Sequence, residues 1–354
     1  MENWQEFEKK IIVTGGAGFI GSNLLEYLTA KYPHYLLVNL DCLTYAANQK
    51  SLTAATSRPN YRFEKIDIRN AAAIRQCFEK YSPDGIIHLA AETHVDRSIA
   101  DPSEFIKTNI EGTFNLLEAT RSIARNGLRP RFHHISTDEV FGAEETGEAF
   151  TEESKYYPNS PYAATKAAAD HLVRAWGSTY NMNVVTTNCG NNFGPHQYPE
   201  KLIPLAIINA LDNRPIPLYG DGSQVRDWIY VRDHCRGIDL VFHEGTAGET
   251  YNIGARNELA NAAIVTKVCN LMDKILGGGP RRELIQKTAD RPGHDRRYAI
   301  DPSKIESELR WQPEHSFETA LEKTVAWYLE NRDWLRSCLN DNYHEYYKRQ
   351  YAGR

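Results

Sequence analysis

Lys10-Ile11-Ile12-Val13-Thr14-Gly15-Gly16-Ala17-Gly18-Phe19-Ile20-Gly21-Ser22-Asn23-Leu24-Leu25-Glu26-Tyr27-Leu28 decides the fold of this chain. The first five residues form the apolar run of a strand buried on both faces. Ser22 to Leu28 has the periodicity of a helix. Between them, Gly15, Gly18 and Gly21 allow a tight turn, close approach of a pyrophosphate and close helix–strand contact. A glycine-rich run alone is weak evidence, but this one has the context it needs. A strand precedes it, a helix follows, and a second apolar run, Tyr35-Leu36-Leu37-Val38-Asn39-Leu40, ends in Asp41. An acid at that strand end can hydrogen-bond a ribose diol and repels a 2′-phosphate, so the expected cofactor is NAD rather than NADP.

Working outward, the alternation continues. Residues 61–66 read as a strand ending at Asp67-Ile68, where a side chain can meet an adenine. Residues 71–80 are helical, and 85–89 form another buried strand that runs into Ala90-Ala91-Glu92-Thr93. Asp101-Pro102 is an N-cap followed by proline at the first helical position, opening a long helix through Arg125. A strand at 131–135, a helix from Pro161 to about Tyr180 and a strand at 183–188 follow. This β-α-β-α order predicts an α/β fold: a Rossmann-type, doubly wound parallel sheet with helices on both faces.

After Gly190 the rhythm breaks. Residues 191–195 read as loop, 202–211 as helix and 215–222 as a turn-rich segment. Residues 225–230 and 249–253 read as strands that rejoin the sheet. Residues 277–280 are a loop, 317–335 an amphipathic helix, and the Tyr-, Lys- and Arg-rich tail, 340–354, a helix packed on the surface. The expected division is an NAD-binding domain at 9–190, rejoined by about 225–254. A smaller, discontinuous C-terminal α/β substrate-binding lobe takes 191–224 and 255–354, with the pocket between the two.

A second stretch carries chemistry. Ser136-Thr137-Asp138-Glu139 follows the strand at 131–135, and Tyr162 and Lys166 lie one turn apart on the next helix. A lysine ammonium beside a tyrosine lowers the phenol pKa and makes it a usable base. From spacing alone, an ordinary exposed helix pair competes equally with that reading. With Asp138 and Glu139 added, one pocket holds more proton-handling groups than a simple alcohol oxidation needs.

Composition sets the bounds. The 354 residues are 25% charged and 41% hydrophobic, the profile of an ordinary globular protein. A net charge of −5, with no Lys/Arg block, gives no reason to expect nucleic acid as a partner. The acidic, polar start is not a signal peptide, and no apolar run is long enough to cross a membrane. Six scattered cysteines without a C-x-x-C pair fit a reduced, cytoplasmic chain, and the twelve histidines form no metal-ligand pattern.

With the glycine turn, Thr137-Asp138-Glu139 and Tyr162-xxx-Lys166 in place, the chain resembles the extended short-chain dehydrogenase/reductase superfamily, and most closely its nucleotide-sugar 4,6-dehydratases. Matching segments run from about 10 to 335. They include Asp41-Cys42-Leu43-Thr44-Tyr45-Ala46, Ala90-Ala91-Glu92-Thr93-His94-Val95-Asp96-Arg97-Ser98, Pro199-Glu200-Lys201-Leu202-Ile203-Pro204, Arg226-Asp227-Trp228 and Arg291-Pro292-Gly293-His294-Asp295. The resemblance implies that Phe19, Ile20, Asp41, Cys42, Leu43, Thr44, Asp67, Ile68, Leu89, Ala90, Ala91, Thr93, Thr108 and Asn192 line the NAD, along with Tyr162 and Lys166. It implies that Thr93, Thr137, Asn191, Lys201, Leu202, Pro217, Leu218, Tyr219, Arg226, Asn261, Arg291, His294 and Asp295 hold the sugar nucleotide, dTDP-glucose. Arg226 and Arg291 suit a diphosphate, whose oxygens match a guanidinium fork. Phe141, Gly190 and Ala47 stand where the family pattern has Tyr, Ser and Gly.

The chemistry implied is an internal redox cycle. Tyr162 takes the proton of the 4-OH, with Thr137 on the C4 oxygen and the C4 hydride going to NAD. Glu139 removes the C5 proton, Asp138 protonates the departing 6-OH, and the hydride returns at C6. The resemblance also implies a homodimer, built on the helices at about 103–125 and 161–180 with apolar positions such as Phe105, Phe114, Leu117 and Leu172. The rival within enzymes is a dehydratase or 4-epimerase acting on a UDP-linked hexose. Asp138 and Glu139 argue against the epimerase, which has no use for an acid/base pair at C5 and C6. A non-catalytic NAD-sensing protein on the same fold is the rival of another class.

Overall fold

Strand β1 (Lys9–Thr14) sits inside a seven-stranded parallel sheet of order β10-β6-β5-β4-β1-β2-β3. The other strands of that sheet are β2 (Tyr35–Asp41), β3 (Tyr61–Lys65), β4 (Gly85–His88), β5 (Arg131–Ile135), β6 (Val184–Cys189) and β10 (Thr250–Ile253). β2, β4 and β6 are buried along their whole length; β2 and β4 are accordingly mostly apolar, while β6 buries Thr186, Thr187 and Asn188 as well. The structure, a computed structural model, describes residues 6–124, 127–143 and 147–351. The expected helix end at Arg125 and the last three residues of the tail lie outside these.

The order of the strands positions the site. From β1 the chain builds outward through β2 and β3, then crosses back to β4 and builds the other way. Thr14 pairs with Leu40 on one side and His88 on the other, so the ends of β1, β2 and β4 open one crevice. Such a reversal point is where α/β sheets bind ligands. Helices Phe19–Lys31 and Val231–Glu244 cover one face; Ala71–Tyr81, Thr113–Ala124 and Pro161–Tyr180 cover the other. Helix Pro161–Tyr180 opens as the sequence predicts: Ser160 Oγ accepts from the Ala163 amide and proline occupies the first turn.

The helix expected from 103 onward is present but not uniform. Ile106–Gly112 winds as a π-helix between Ser103–Phe105 and Thr113–Ala124. The widened turn holds Thr108 and Asn109. Asn109 Oδ1 accepts from the Glu92 amide at 2.9 Å, and its Nδ2 donates to the Glu92 carbonyl at 3.0 Å and to Thr165 Oγ1 at 3.0 Å. The π segment therefore braces the 89–93 loop, a use typical of such turns near functional sites.

The smaller lobe differs from expectation in two places. Residues 225–230, read as rejoining the main sheet, form β9 (Val225–Tyr230) in a separate three-stranded sheet. Its partners are β7 (Asn191–Phe193) and β11 (Glu258–Ala260), so 191–193 is strand rather than loop. Buried Asp227 fixes β9 there by accepting from the amides of Ala255 (2.8 Å) and Asn257 (2.7 Å). The free edge of β6 is taken instead by β10 alone. Within the turn-rich 215–222 segment lies β8 (Ile216–Tyr219), paired in parallel with β12 (Ile285–Thr288).

Candidate active site

A cavity of about 390 Å³ runs from the glycine turn to the Thr137-Asp138-Glu139 corner. Gly15 has φ of +70°, and a Cβ there would lie 2.7 Å from the Ala90 amide nitrogen. A Cβ on Gly21 would meet the Gly15 carbonyl at 2.2 Å. Both glycines are thus required by the close approach of backbone to backbone. The Asp41 carboxylate lines the cavity at the end of β2, accepting from the amides of Ala17 (2.9 Å) and Leu43 (2.7 Å). Leu43 acts through that amide, at φ of 60°, and does not line the cavity; every other residue expected to line the NAD does. The glycine cradle, the carboxylate at the end of β2 and the small side chains of Ala90 and Ala91 fit a dinucleotide.

At the other end the strand end of β5 turns into a short 3₁₀ helix, Asp138–Phe141, capped by Thr137. Thr137 Oγ1 lies 3.3 Å from Asp138 Oδ1 and accepts from the Glu139 amide at 3.3 Å. Asp138 Oδ2 and Glu139 Oε2 are both shut off from solvent with no hydrogen-bond partner, and both residues line the cavity. Two orphaned carboxylate oxygens are costly unless a ligand engages them. Their surroundings differ. Burial, and then the charge of Glu139, push the Asp138 carboxyl far above the usual range. Burial raises Glu139 too, but Arg291, Arg226 and Lys201 all oppose it.

Tyr162 and Lys166 project from helix Pro161–Tyr180 into the same end. The expectation that Lys166 lowers the Tyr162 phenol is corrected in this arrangement. Burial first, then Glu139 and Cys189, hold the phenol well above its ordinary value, while a Thr137 hydrogen bond lowers it. The reason is geometric: Lys166 Nζ donates to the Ile135 carbonyl at 2.8 Å and lies 3.5 Å from His134 Nε2.

The residues expected to hold the nucleotide divide into two groups. Asn191, Lys201, Thr93 and Thr137 line the cavity, and Lys201 Nζ donates to the Thr93 carbonyl at 3.3 Å. Leu202, Pro217, Leu218, Tyr219, Arg226, Asn261, Arg291, His294 and Asp295 do not line it. Several of these cross-brace one another beside it. Arg226 donates to the Asp295 carbonyl at 3.0 Å and stacks on the Tyr298 ring at 4.2 Å; the Tyr219 and His294 rings meet edge to face. Leu218 is buried in the core under β8. Arg226 and Arg291 nonetheless act electrostatically on Glu139.

Sequence reasoning assigned no role to Arg69, Glu104, Cys189 or Glu200, which also line the cavity. Arg69 ties Asp67 (2.6 Å) to Glu104 (2.5 Å), a link across 35 positions that no local pattern reveals. Glu200 accepts from Tyr45 and from Arg97, both in segments the resemblance had marked. Two departures from the family pattern have local explanations. Phe141 is buried between the Phe150 and Tyr156 rings, each 5.2 Å away. At Gly190 a Cβ would sit 2.7 Å from the Asp227 carbonyl, too close for any side chain as the backbone stands.

Comparison with known proteins gives the same picture. The sequence model described as GDP-mannose 4,6 dehydratase matches residues 12–324. A dTDP-glucose 4,6-dehydratase of Neisseria meningitidis is 50% identical over 346 residues, covering 95% of this chain and 97% of that one. One from Escherichia coli K12 is 49% identical, covering 98% and 99%. Among solved structures, the Bacillus anthracis dTDP-glucose 4,6-dehydratase in complex with NAD is 42% identical with a TM-score of 0.84, over 93% of this chain and 99% of that chain. A UDP-glucose 4-epimerase of Thermus thermophilus with NAD is 28% identical with a TM-score of 0.82, over 91% and 99%.

Proposed function

The chain belongs to the GDP-mannose 4,6 dehydratase family, and from that premise we propose that it is an NAD-dependent dTDP-glucose 4,6-dehydratase. It converts dTDP-glucose to dTDP-4-keto-6-deoxyglucose with loss of water. The observation that carries this reading is that Asp138 and Glu139, each with one solvent-shielded and unpartnered carboxyl oxygen, face the same cavity as Tyr162. An epimerase needs only the tyrosine. A dehydratase also needs a base for C5 and an acid for the C6 oxygen, held in unlike surroundings.

Tyr162 accepts the 4-OH proton, and Thr137 hydrogen-bonds the C4 oxygen. The glycine turn and the Asp41 end of the cavity would hold NAD, which when bound would supply the acceptor for the C4 hydride and its donor at C6. The 4-keto group acidifies C5. Glu139, beside Arg291, Arg226 and Lys201, is the easier of the two carboxyls to ionise and takes the C5 proton. Asp138 keeps its proton until it gives it to the leaving 6-OH. As the hydride returns at C6, Glu139 gives its proton back to C5, and the 4-OH proton left on Tyr162 makes good, through solvent, the one Asp138 gave up. The same three cations flank the diphosphate, and the braced group around Tyr219, His294 and Asp295 receives the nucleotide.

The working unit we propose is a homodimer in the cytoplasm. Ile106 (46% exposed) and Phe114 (43% exposed) stand out of the 103–124 helix, and Tyr180 (46%) out of its neighbour, an apolar face across two adjacent helices. Phe105 and Leu117, by contrast, are buried within the chain. The six cysteines are all unpaired, in keeping with a reducing compartment. Among the described residues no helix is long and apolar enough to cross a membrane.

Incubation with dTDP-glucose, UDP-glucose and UDP-N-acetylglucosamine, followed by mass spectrometry, tests the assignment. Loss of one water from dTDP-glucose is expected. An unchanged mass with formation of the 4-epimer overturns it.

A further inference from the structure

His234 takes no part in the cycle above, yet it reaches the cavity through one other side chain. It stands in the first turn of helix Val231–Glu244 and is fully buried. Its Nδ1 lies 2.9 Å from Oδ1 of Asn192, 42 positions earlier in the chain, and Asn192 lines the cavity. The Asn192 backbone is fixed in β7, where it pairs with Ile229, and its carbonyl accepts from Gln197 Nε2 at 2.9 Å.

These contacts leave the Asn192 amide one orientation. Its Nδ2 lies 3.1 Å from the Gly190 carbonyl, which can only accept, so the nitrogen faces Gly190 and the oxygen faces His234. An amide oxygen needs a donor, which puts the His234 proton on Nδ1. Burial holds the ring neutral, with its pKa down at about 3, so that is its only proton. Its other nitrogen, Nε2, is shut off from solvent without a partner. The second proton of Asn192 Nδ2 goes to the Cys189 sulfur, a weak acceptor, 3.4 Å away. That sulfur lies 3.5 Å from the Ser136 carbonyl, and Cys189 lines the cavity with Tyr162. Asn192 therefore stands at the Tyr162 end, where hydride is exchanged.

We propose that His234 is a positioning residue for the cofactor: its one hydrogen bond keeps Asn192 turned so that the amide nitrogen serves the nicotinamide end of NAD. The inference rests on the reading that Asn192 meets that end of NAD. Without the His234 donor, the Asn192 oxygen loses its partner and the amide is free to turn.

The test is titration calorimetry of the full chain, freed of cofactor, with NAD and with ADP-ribose, which has no nicotinamide. His234→Leu removes the donor together with the orphaned Nε2. NAD binding then weakens roughly fivefold, while ADP-ribose binding is unchanged. His234→Asn restores NAD binding, because its amide nitrogen is bonded to Cγ as the histidine Nδ1 is. His234→Gln carries its amide one bond further out and fails to restore it; this variant carries the test if His234→Leu does not fold. In an Asn192→Ala background, His234→Leu costs NAD nothing further. Equal weakening of both ligands, weakening of neither, or a further loss in the Asn192→Ala background means a merely structural His234 and overturns the inference. If Asn192→Ala alone binds NAD as the unaltered chain does, the reading of Asn192 falls and takes this inference with it.

Discussion

Asp138 and Glu139 carry the same functional group on adjacent residues, and their differing surroundings divide the work between them. Burial and Glu139 raise Asp138, with Arg226 alone among the cations opposing them, whereas Arg291, Arg226 and Lys201 together oppose the burial of Glu139. The sequence places both at a strand end and names them an acid/base pair. Their spacing does not say which is which, and the division of roles comes from the resemblance alone, because the cations beside Glu139 come from 201, 226 and 291, far along the chain. The behaviour of Tyr162 was likewise not legible: spacing puts Lys166 one turn away, but the lysine turns to the Ile135 carbonyl. The position of Asp41 was legible, since it follows from lying at the end of β2. Asp41→Ala should bring the affinities for NADP and NAD together, weakening NAD by roughly tenfold through loss of hydrogen bonds to the ribose. Isothermal titration with both cofactors checks this; an unchanged preference for NAD means that another group reads the 2′ position.

At the scale of elements, the parallel sheet could be read from sequence because short strand-like runs, most plainly the apolar β1 and β2, alternate with helical segments. The smaller lobe could not, because β7, β8, β9 and β11 are short and pair with partners distant in sequence. The tail is the clearest case. Its composition predicts a surface helix, and a helix, Asp341–Tyr351, is present, but Tyr343 and Tyr346 are buried. Tyr346 OH reaches His94 Nε2 at 3.3 Å, and its ring packs on the Arg97 guanidinium at 4.5 Å, with the Tyr45 ring on the other side at 3.8 Å. Gln350 Nε2 donates to Tyr219 OH at 2.6 Å. This helix therefore backs the elements that carry Glu200, Lys201 and Tyr219. Tyr346→Ala should lower stability by about 3 kcal/mol, the usual cost of removing a buried aromatic ring. It should also weaken sugar-nucleotide binding while leaving NAD binding intact. Urea unfolding and calorimetry measure both, and full retention of stability contradicts this placement of the ring.

At the scale of the whole molecule, one cavity joins the cofactor cradle to the acid pair, which lets a single site oxidise, eliminate and reduce without releasing an intermediate. The proposed dimer face lies on the side of the 103–124 and 161–180 helices turned away from the sheet. Helical periodicity marks both helices as amphipathic but does not say which apolar side chains face the sheet, so Phe105 and Phe114 look alike in sequence and part company in the fold. Replacing Ile106 and Phe114 together by Glu should give a protein that sediments as a monomer at micromolar concentration, while the unaltered chain sediments as a dimer. A monomeric unaltered chain removes the proposal.

The central claim is that Asp138 and Glu139 drive elimination and are dispensable for oxidation at C4. Glu139→Gln is nearly isosteric and leaves Tyr162, Lys166, Thr137 and the glycine cradle untouched. On mixing this variant with dTDP-glucose, the absorbance of reduced nicotinamide should rise and persist. The 4-keto-6-deoxy product should form roughly two to four orders of magnitude more slowly than in the unaltered enzyme. Turnover at the unaltered rate, with no accumulation of NADH, would contradict the account.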